Sequence, residues 1–462
     1  MKVCVACGNP NNRDAAKRCD QCGNQLPAAS VPANPPRQPS TVTTRAQQPV
    51  DRTRRFQLPQ ELTKEQDLAN DLPMQGRHLL IGGPGTGKSV VALLRAARLV
   101  RSKKNHSFLA YNRLLIHYCS ALSPVRINAK TWNSWFMSTW RQQMKQSLPL
   151  APPQDGSSWQ EIDWLAVSHI LSQANEVVPP TSFYLVIDEG QDMPKEFYWA
   201  ISDLGYTNIF VAADFNQVLH PGKNSNRKDL IAALEKTPRK VVDVNASTEK
   251  LFDPEAIVEI SHNHRNPGPV ARLAAHICQS LNNPQSTCPK LRADMRDAAV
   301  PLLFGYDPVD PKRNLDSVCR RIILTADRNP RWLIGVLCAT KTMLDTYKQA
   351  LHGALTSVRQ RLDHGDPRIE ILDMGQQKEP DFSKGGIVLL TAHSCKGLEF
   401  DLVVIADIDT YWTSISNHQL FYVMVSRAIE RVILLHNLTK PCPIDAILPQ
   451  DPNLLTRDPL RP

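Results

Sequence analysis

The chain has 462 residues, 42% of them apolar and 21% charged, which is the make-up of a globular protein long enough for about three domains. A membrane span needs roughly twenty consecutive apolar residues, whereas the longest runs, 386–392 and 402–408, are strand-length, so no transmembrane segment and no membrane partner is expected. Lysine and arginine exceed aspartate and glutamate by nine, and residues 1–55 alone hold nine basic residues against three aspartates, so a polyanion-binding groove in the rest of the chain requires local placement of charge. The N-terminal residues lack an apolar stretch of signal-peptide length, which makes the cytoplasm the expected address.

Cys4 and Cys7, then Cys19 and Cys22, form two CxxC pairs separated by eleven residues, each followed by a glycine, Gly8 or Gly23. Each pair can point two thiolates at one tetrahedral Zn²⁺, so residues 1–26 are expected to be a small zinc ribbon, a redox pair being the competing reading of a CxxC. Such ribbons bind nucleic acid or a protein partner. Four thiolates on one Zn²⁺ carry a net −2, which lowers the local basic excess to about +4. Residues 27–57 follow, rich in proline, alanine, glutamine, serine and threonine, and read as a flexible linker. The seven remaining cysteines, Cys119, Cys278, Cys288, Cys319, Cys338, Cys395 and Cys442, are scattered singly and are expected to be reduced and mostly buried.

From Leu58 onward apolar strand-length runs alternate with helical segments, the pattern of α/β domains with parallel sheets. The runs are His78–Ile81, Ser107–Tyr111, Phe183–Ile187, Ile209–Ala212, Trp332–Cys338, Ile387–Thr391, Leu402–Ala406 and Val432–Leu435. The first ends in Gly82, Gly83, Pro84, Gly85, Thr86, Gly87, Lys88 and Ser89, followed by an amphipathic helix over Val90–Val100. This GxxxxGK[ST] arrangement closes backbone N–H groups around phosphate oxygens at a helix N-terminus, with Lys88 on the β and γ oxygens and Ser89 on Mg²⁺. The third run ends in Asp188 and Glu189, which supplies a carboxylate for Mg²⁺ and a base for water.

Asp188 to Asp192 resembles the DExQD box of the UvrD/Rep-like superfamily 1A helicases, with Gly190 where alanine is usual. Further segments follow in that family's order: Leu62–Gln66, Phe108–Arg113, Thr131–Phe136, Val211–Gln217, Ser261–Arg265, Leu390–Phe400 and Phe421–Ala428. The resemblance implies two tandem RecA-like P-loop NTPase domains, 58–258 with a small helical insert near 137–180 and 259–440, then a C-terminal tail, 441–462. It implies that Gln66 reads adenine, that Gln217 senses the γ-phosphate, that Arg265 and Arg427 are arginine fingers, and that Gly397 and Glu399 lie at the nucleotide, with Glu399 on the ribose. His264 stands where the family has a tyrosine stacked on adenine, and offers less area. Tyr111, Asn112, Thr131, Trp132, Trp135, Thr391 and His393 fall at positions implied to grip a single strand. The spacings leave room for only small inserts in place of large accessory domains. The implied activity is an ATP- and Mg²⁺-dependent helicase or translocase on single-stranded nucleic acid, DNA before RNA, moving 3′ to 5′. A nucleotide-gated binding switch, or an adaptor that recruits a nuclease through the ribbon, is the alternative.

Overall fold

The structure, a computed structural model, describes residues 62–152, 160–174, 182–217, 226–237, 251–281, 288–372, 380–411 and 414–458. Cys4, Cys7, Cys19, Cys22 and the linker lie outside the described residues. Two wholly parallel sheets dominate. The first contains β1 (Arg77–Gly82), β2 (His106–Ala110), β3 (Ala129–Thr131), β4 (Tyr184–Ile187), β5 (Asn208–Ala213) and β6 (Val258–Ile260), in the spatial order β3-β2-β4-β5-β1-β6. Helices α1 (Lys64–Asn70), α2 (Lys88–Arg101), α3 (Arg113–Leu122), α4 (Trp132–Met144), α5 (Trp164–Gln173), α6 (Lys195–Asp203) and α7 (Arg227–Glu235) accompany it.

The second sheet contains β7 (Leu302–Tyr306), β8 (Leu333–Cys338), β9 (Ile369–Ile371), β10 (Gly386–Thr391), β11 (Phe400–Ile405), β12 (Ala428–Asn437) and β13 (Thr456–Arg457). Its spatial order is β13-β7-β12-β11-β8-β10-β9, again with every pair parallel. With it go α8 (Gly268–Ser280), α9 (Leu315–Arg328), α10 (Lys341–Val358) and α11 (Ile415–Val425). Among the described residues no helix is long and apolar enough to cross a membrane.

Successive residues of a strand face opposite ways, so a strand covered on both faces must be apolar throughout. In β1, Leu79 and Ile81 join the core that Trp135, Phe136, Phe197 and Ile201 build, while Leu80 joins the core formed with Val91, Ala92 and Ala96 of α2. In β10, Val388 and Leu390 pack with Val270, Ile277 and Phe421 of α8 and α11, and Ile387 and Leu389 with Ile322, Ile323 and Tyr347 of α9 and α10. Each sheet therefore has helices on both faces, and the expected α/β class with parallel sheets is what the chain adopts.

One expectation is corrected here. Cys278 and Cys288, read as separate thiols, are joined in a disulfide with their Cα atoms 5.9 Å apart. The backbone of residues 288–290 runs beside that of 261–263, with Lys290 N donating to Ser261 O at 2.7 Å and Asn263 N to Lys290 O at 3.0 Å, which carries Cys288 back to α8. Cys119, Cys319, Cys338 and Cys395 are free and buried, and Cys442 is free and half-buried.

Candidate functional site

Residues 82–87 turn between β1 and α2, and two glycines make the turn feasible: Gly85 and Gly87 have φ of +75° and +95°. A Cβ on Gly85 would lie 2.6 Å from Asn263 Oδ1, and one on Gly87 2.2 Å from Gln66 Nε2, so neighbouring chain closes tightly on the loop. Thr86 Oγ1 donates to Gly83 O at 2.7 Å. α2 starts at Lys88, and its N-cap residue Gly87 offers no side chain to the first-turn N–H groups. Lys88 Nζ donates to Gly83 O at 2.8 Å and lies 3.6 Å from Asp214 Oδ2. Gln66 is fully engaged with protein: its Oε1 accepts from Thr63 N at 3.1 Å in a capping box on α1, and its Nε2 donates to Thr86 O at 2.8 Å. In this arrangement Gln66 holds the loop rather than facing outward.

Asp188 follows the last residue of β4 and is completely buried. Its Oδ1 accepts from Glu189 N at 3.0 Å, the Ser89 hydroxyl lies against the carboxylate, and Oδ2 has no hydrogen-bond partner. Burial, then the adjacent Glu189 carboxylate, push Asp188 well above the ordinary carboxylate range. Glu189 has φ of +52°, in the left-handed region. Burial alone would raise Glu189 too, but Lys396, Lys88 and Arg427, with the amide of Gln191, outweigh it and hold this carboxyl well below its usual value. Gln191 Nε2 donates to Glu189 Oε2 at 2.6 Å while Gln191 Oε1 accepts from Asp214 N at 2.9 Å, locking the two acidic segments together.

Side chains from the second sheet complete the cluster. Arg427, at the end of α11, is buried and donates through Nη2 to Gln217 Oε1 at 2.9 Å, and Gln217 Nε2 donates to Asp214 Oδ2 at 2.8 Å. Lys396, in the turn after β10, donates to Asp192 Oδ1 at 2.6 Å and to Gln217 O. A continuous chain of contacts thus runs from Lys88 through Asp214 and Gln217 to Arg427. Arg265 and Glu399, expected at opposite parts of a nucleotide, pair with each other, and Arg265 Nη1 also donates to Ser426 O at 3.3 Å. His264 N donates to Gly85 O at 2.7 Å, while its ring Nδ1 lies 2.7 Å from Arg292 Nη1. Gly397 has φ of +79° and abuts Leu115 of α3.

Sequence reading passed over Asp192, Asp214 and Lys396. All three lie inside quoted segments, and a buried-facing charge beside the motif's named residue was the available signal. Among the described residues no group of three or more His, Cys, Asp or Glu side chains is arranged to hold a metal. A cation here would rest on Asp188, with its unpartnered oxygen, and on Ser89, a sparse oxygen set suited to Mg²⁺ that also binds ligand oxygens and water.

The positions expected to grip a strand divide. Tyr111 is 38% exposed and His393 is exposed. Thr391 is half-buried, its hydroxyl 2.8 Å from that of Ser394, and Thr131 caps α4 through Ser134 N at 3.4 Å. Asn112 is buried and caps α3 by accepting from Leu115 N at 2.8 Å. Trp135 is 3% exposed and packs edge-on to Phe197 and Tyr206 as a core residue, the commoner role for tryptophans spaced three apart. Trp132 is half-buried, stacked on Trp164 and in edge contact with Phe197.

Residues 386–435, which hold β10, β11, α11, most of β12 and the cations Lys396 and Arg427, match the UvrD-like helicase C-terminal domain. No curated protein matches the chain. Among solved structures, the C-terminal domain of a possible DNA helicase from Lactobacillus plantarum WCFS1 is similar over 42% of this chain and 98% of that chain, at 17% identity and a TM-score of 0.30.

Proposed function

We propose that the chain is an ATP- and Mg²⁺-dependent motor on single-stranded nucleic acid, a helicase or translocase built from two RecA-like domains with boundaries near 58–258 and 259–440. DNA, tracked 3′ to 5′, is the proposed substrate. The observation that carries this reading is the reach of Arg427 to Gln217 and of Lys396 to Asp192, which sets cations of the second sheet against the acidic residues beside the first sheet's glycine loop. The helicase-domain match over 386–435 includes both cations. The zinc reading of Cys4, Cys7, Cys19 and Cys22 rests on their spacing alone.

Backbone amides of 83–87 and the Lys88 ammonium would hold the phosphates, and Ser89 with Asp188 would hold Mg²⁺, which supplies charge neutralisation at the phosphate oxygens. The unpartnered Asp188 Oδ2 fits that assignment, because a buried carboxylate oxygen without a donor is one a cation would satisfy. Glu189 is kept ionised by the cations around it. A carboxylate held that low accepts a proton poorly, so its main contribution would be orienting the attacking water through an oxygen fixed by Gln191. Arg427 is already turned to Gln217, whereas Arg265 must exchange Glu399 for a phosphate. That exchange would report nucleotide state to the second sheet.

Glu189→Gln is expected to lower ATP turnover by about 10²-fold or more while nucleotide binding, followed by fluorescence titration, persists; the original rate in that variant would overturn the site assignment. Turnover measured against single-stranded DNA, single-stranded RNA and duplex identifies the strand. ATP-driven displacement of streptavidin from one labelled end gives polarity, and stimulated turnover without any displacement would favour the nucleotide-gated switch over the motor.

A further inference from the structure

The disulfide between Cys278 and Cys288 ties α8 to the segment that begins ten residues further on and runs over the glycine loop. Cys278 sits on α8, buried in the second sheet's core with Val270, Leu273 and Ile277. Its sulfur accepts from Asn216 Nδ2 at 3.6 Å, and Asn216 immediately precedes Gln217. Cys288 opens the strap 288–290, whose next residue, Pro289, covers the glycine loop: a Cβ on Gly83 would lie 2.2 Å from Pro289 Cγ. Lys290 then forms the two backbone hydrogen bonds to Ser261 and Asn263 already described, and His264, one residue on, donates to Gly85 O.

The bond therefore anchors a strap that rests on the first sheet's loop to a helix of the second core. Without it, the described attachments of the strap are two backbone hydrogen bonds, a proline contact and the packing of Cys288 against the second sheet's core. A single cystine of this kind is not part of a disulfide framework, and Cys288 is half-buried while Cys278 is buried, which makes Cys288 the more exposed end for thiol exchange.

We propose that Cys278 and Cys288 form a reversible oxidation site for small disulfide oxidants such as glutathione disulfide, and that the cystine pins Pro289 onto the glycine loop and restrains it. In the oxidation, the Cys288 thiolate attacks one glutathione sulfur and expels a glutathione thiolate. The Cys278 thiolate then attacks the Cys288 sulfur of the mixed disulfide and expels the second. Two protein thiols lose two electrons to glutathione disulfide, and their two protons end on two glutathione thiols or in solvent.

The restraint is a property of the packing; its bearing on turnover rests on the function proposed above. The test is hydrogen exchange of the full chain, reduced with a dithiol or oxidised with glutathione disulfide, with the state of both cysteines read by alkylation and mass. Peptides covering 82–89 are expected to exchange on the order of tenfold faster after reduction, local opening being what exchange measures. Cys288→Ser and Cys288→Ala, each checked for an unaltered melting transition, should exchange at the fast rate under both conditions. Loop exchange that stays constant although alkylation shows the bond opened, a bond that never forms in the wild type, or a redox response that survives in both variants would each overturn the proposal. ATP turnover in the same samples separates the two readings: no turnover in either state, with the loop response intact, removes the proposed function and leaves the oxidation site standing.

Discussion

His264 takes its protonation state from its neighbours. Its Nδ1 faces the Arg292 guanidinium at 2.7 Å, so that nitrogen accepts and the ring proton sits on Nε2. Burial, then Arg292 and His262, push the ring below its ordinary 6.5, against weaker opposite effects from Glu65 and Asp294. The folded chain thus binds fewer protons here than the unfolded chain just below that value. The resulting stability is fully present above 6.5 and fades as pH falls through the lowered folded value. His264→Asn removes the titration, so the melting-temperature gap between variant and wild type should shrink from about pH 7 to about pH 5; a constant gap would count against this account. At this scale sequence gave identities but not duties. Gln66 and Asn112 stand at motif positions, yet each spends its amide on a helix cap or on the loop, because a buried amide must be satisfied by whatever lies beside it.

Among the elements, α3 has the least ordinary task. Leu115 and Cys119 pack into the first sheet's core with Phe108 and Ala110, whereas Leu114 and Tyr118 pack with Leu390, Leu398 and Phe421 of the second. Adjacent residues on one helix therefore serve two cores, and Gly397 closes against Leu115 from the far side. α4 is simpler, with Trp135, Phe136 and Trp140 all inward. Trp135→Ala is expected to cost about 3–5 kcal/mol in denaturant unfolding, and Trp135→Phe, if folded, should leave single-strand affinity unchanged; a selective loss of affinity in Trp135→Phe would favour the strand-gripping role. Eight strands were legible because each is a continuous apolar run buried on both faces. β3, β6, β9 and β13 have two or three residues and little buried surface, and β7 carries Gly305, so none of the five announces itself by pattern. Gly305 is there for Leu438, which would meet an added Cβ at 2.7 Å.

Across the molecule, the contacts that matter most join residues about two hundred positions apart, a separation that no local pattern encodes. Lys396 and Asp192 are both nearly inaccessible, and their ion pair spans the two sheets' elements. Removing one partner strands the other charge in a medium that cannot solvate it. Lys396→Ala is expected to lower unfolding free energy by about 3–5 kcal/mol, and pairing Lys396→Met with Asp192→Leu to recover part of it; urea titrations of the single and double variants decide, and a silent Lys396→Ala would mean the bridge is not made in solution. The cystine joins residues only ten positions apart, yet it too was invisible, since it is the return of the chain along 261–263 that brings Cys288 to Cys278.

The Lys88 ammonium is not idle: the Gly83 carbonyl and the Asp214 carboxylate already share it. Any anion entering the loop must therefore compete with a resident acceptor for the same cation, instead of displacing water alone. A visitor with a single weak charge gains little from that exchange. On the nucleotide-binding reading proposed above, one that brings several charges, with a metal for Asp188, would gain on both counts, and the loop would discriminate by charge number before any contact with the rest of the ligand.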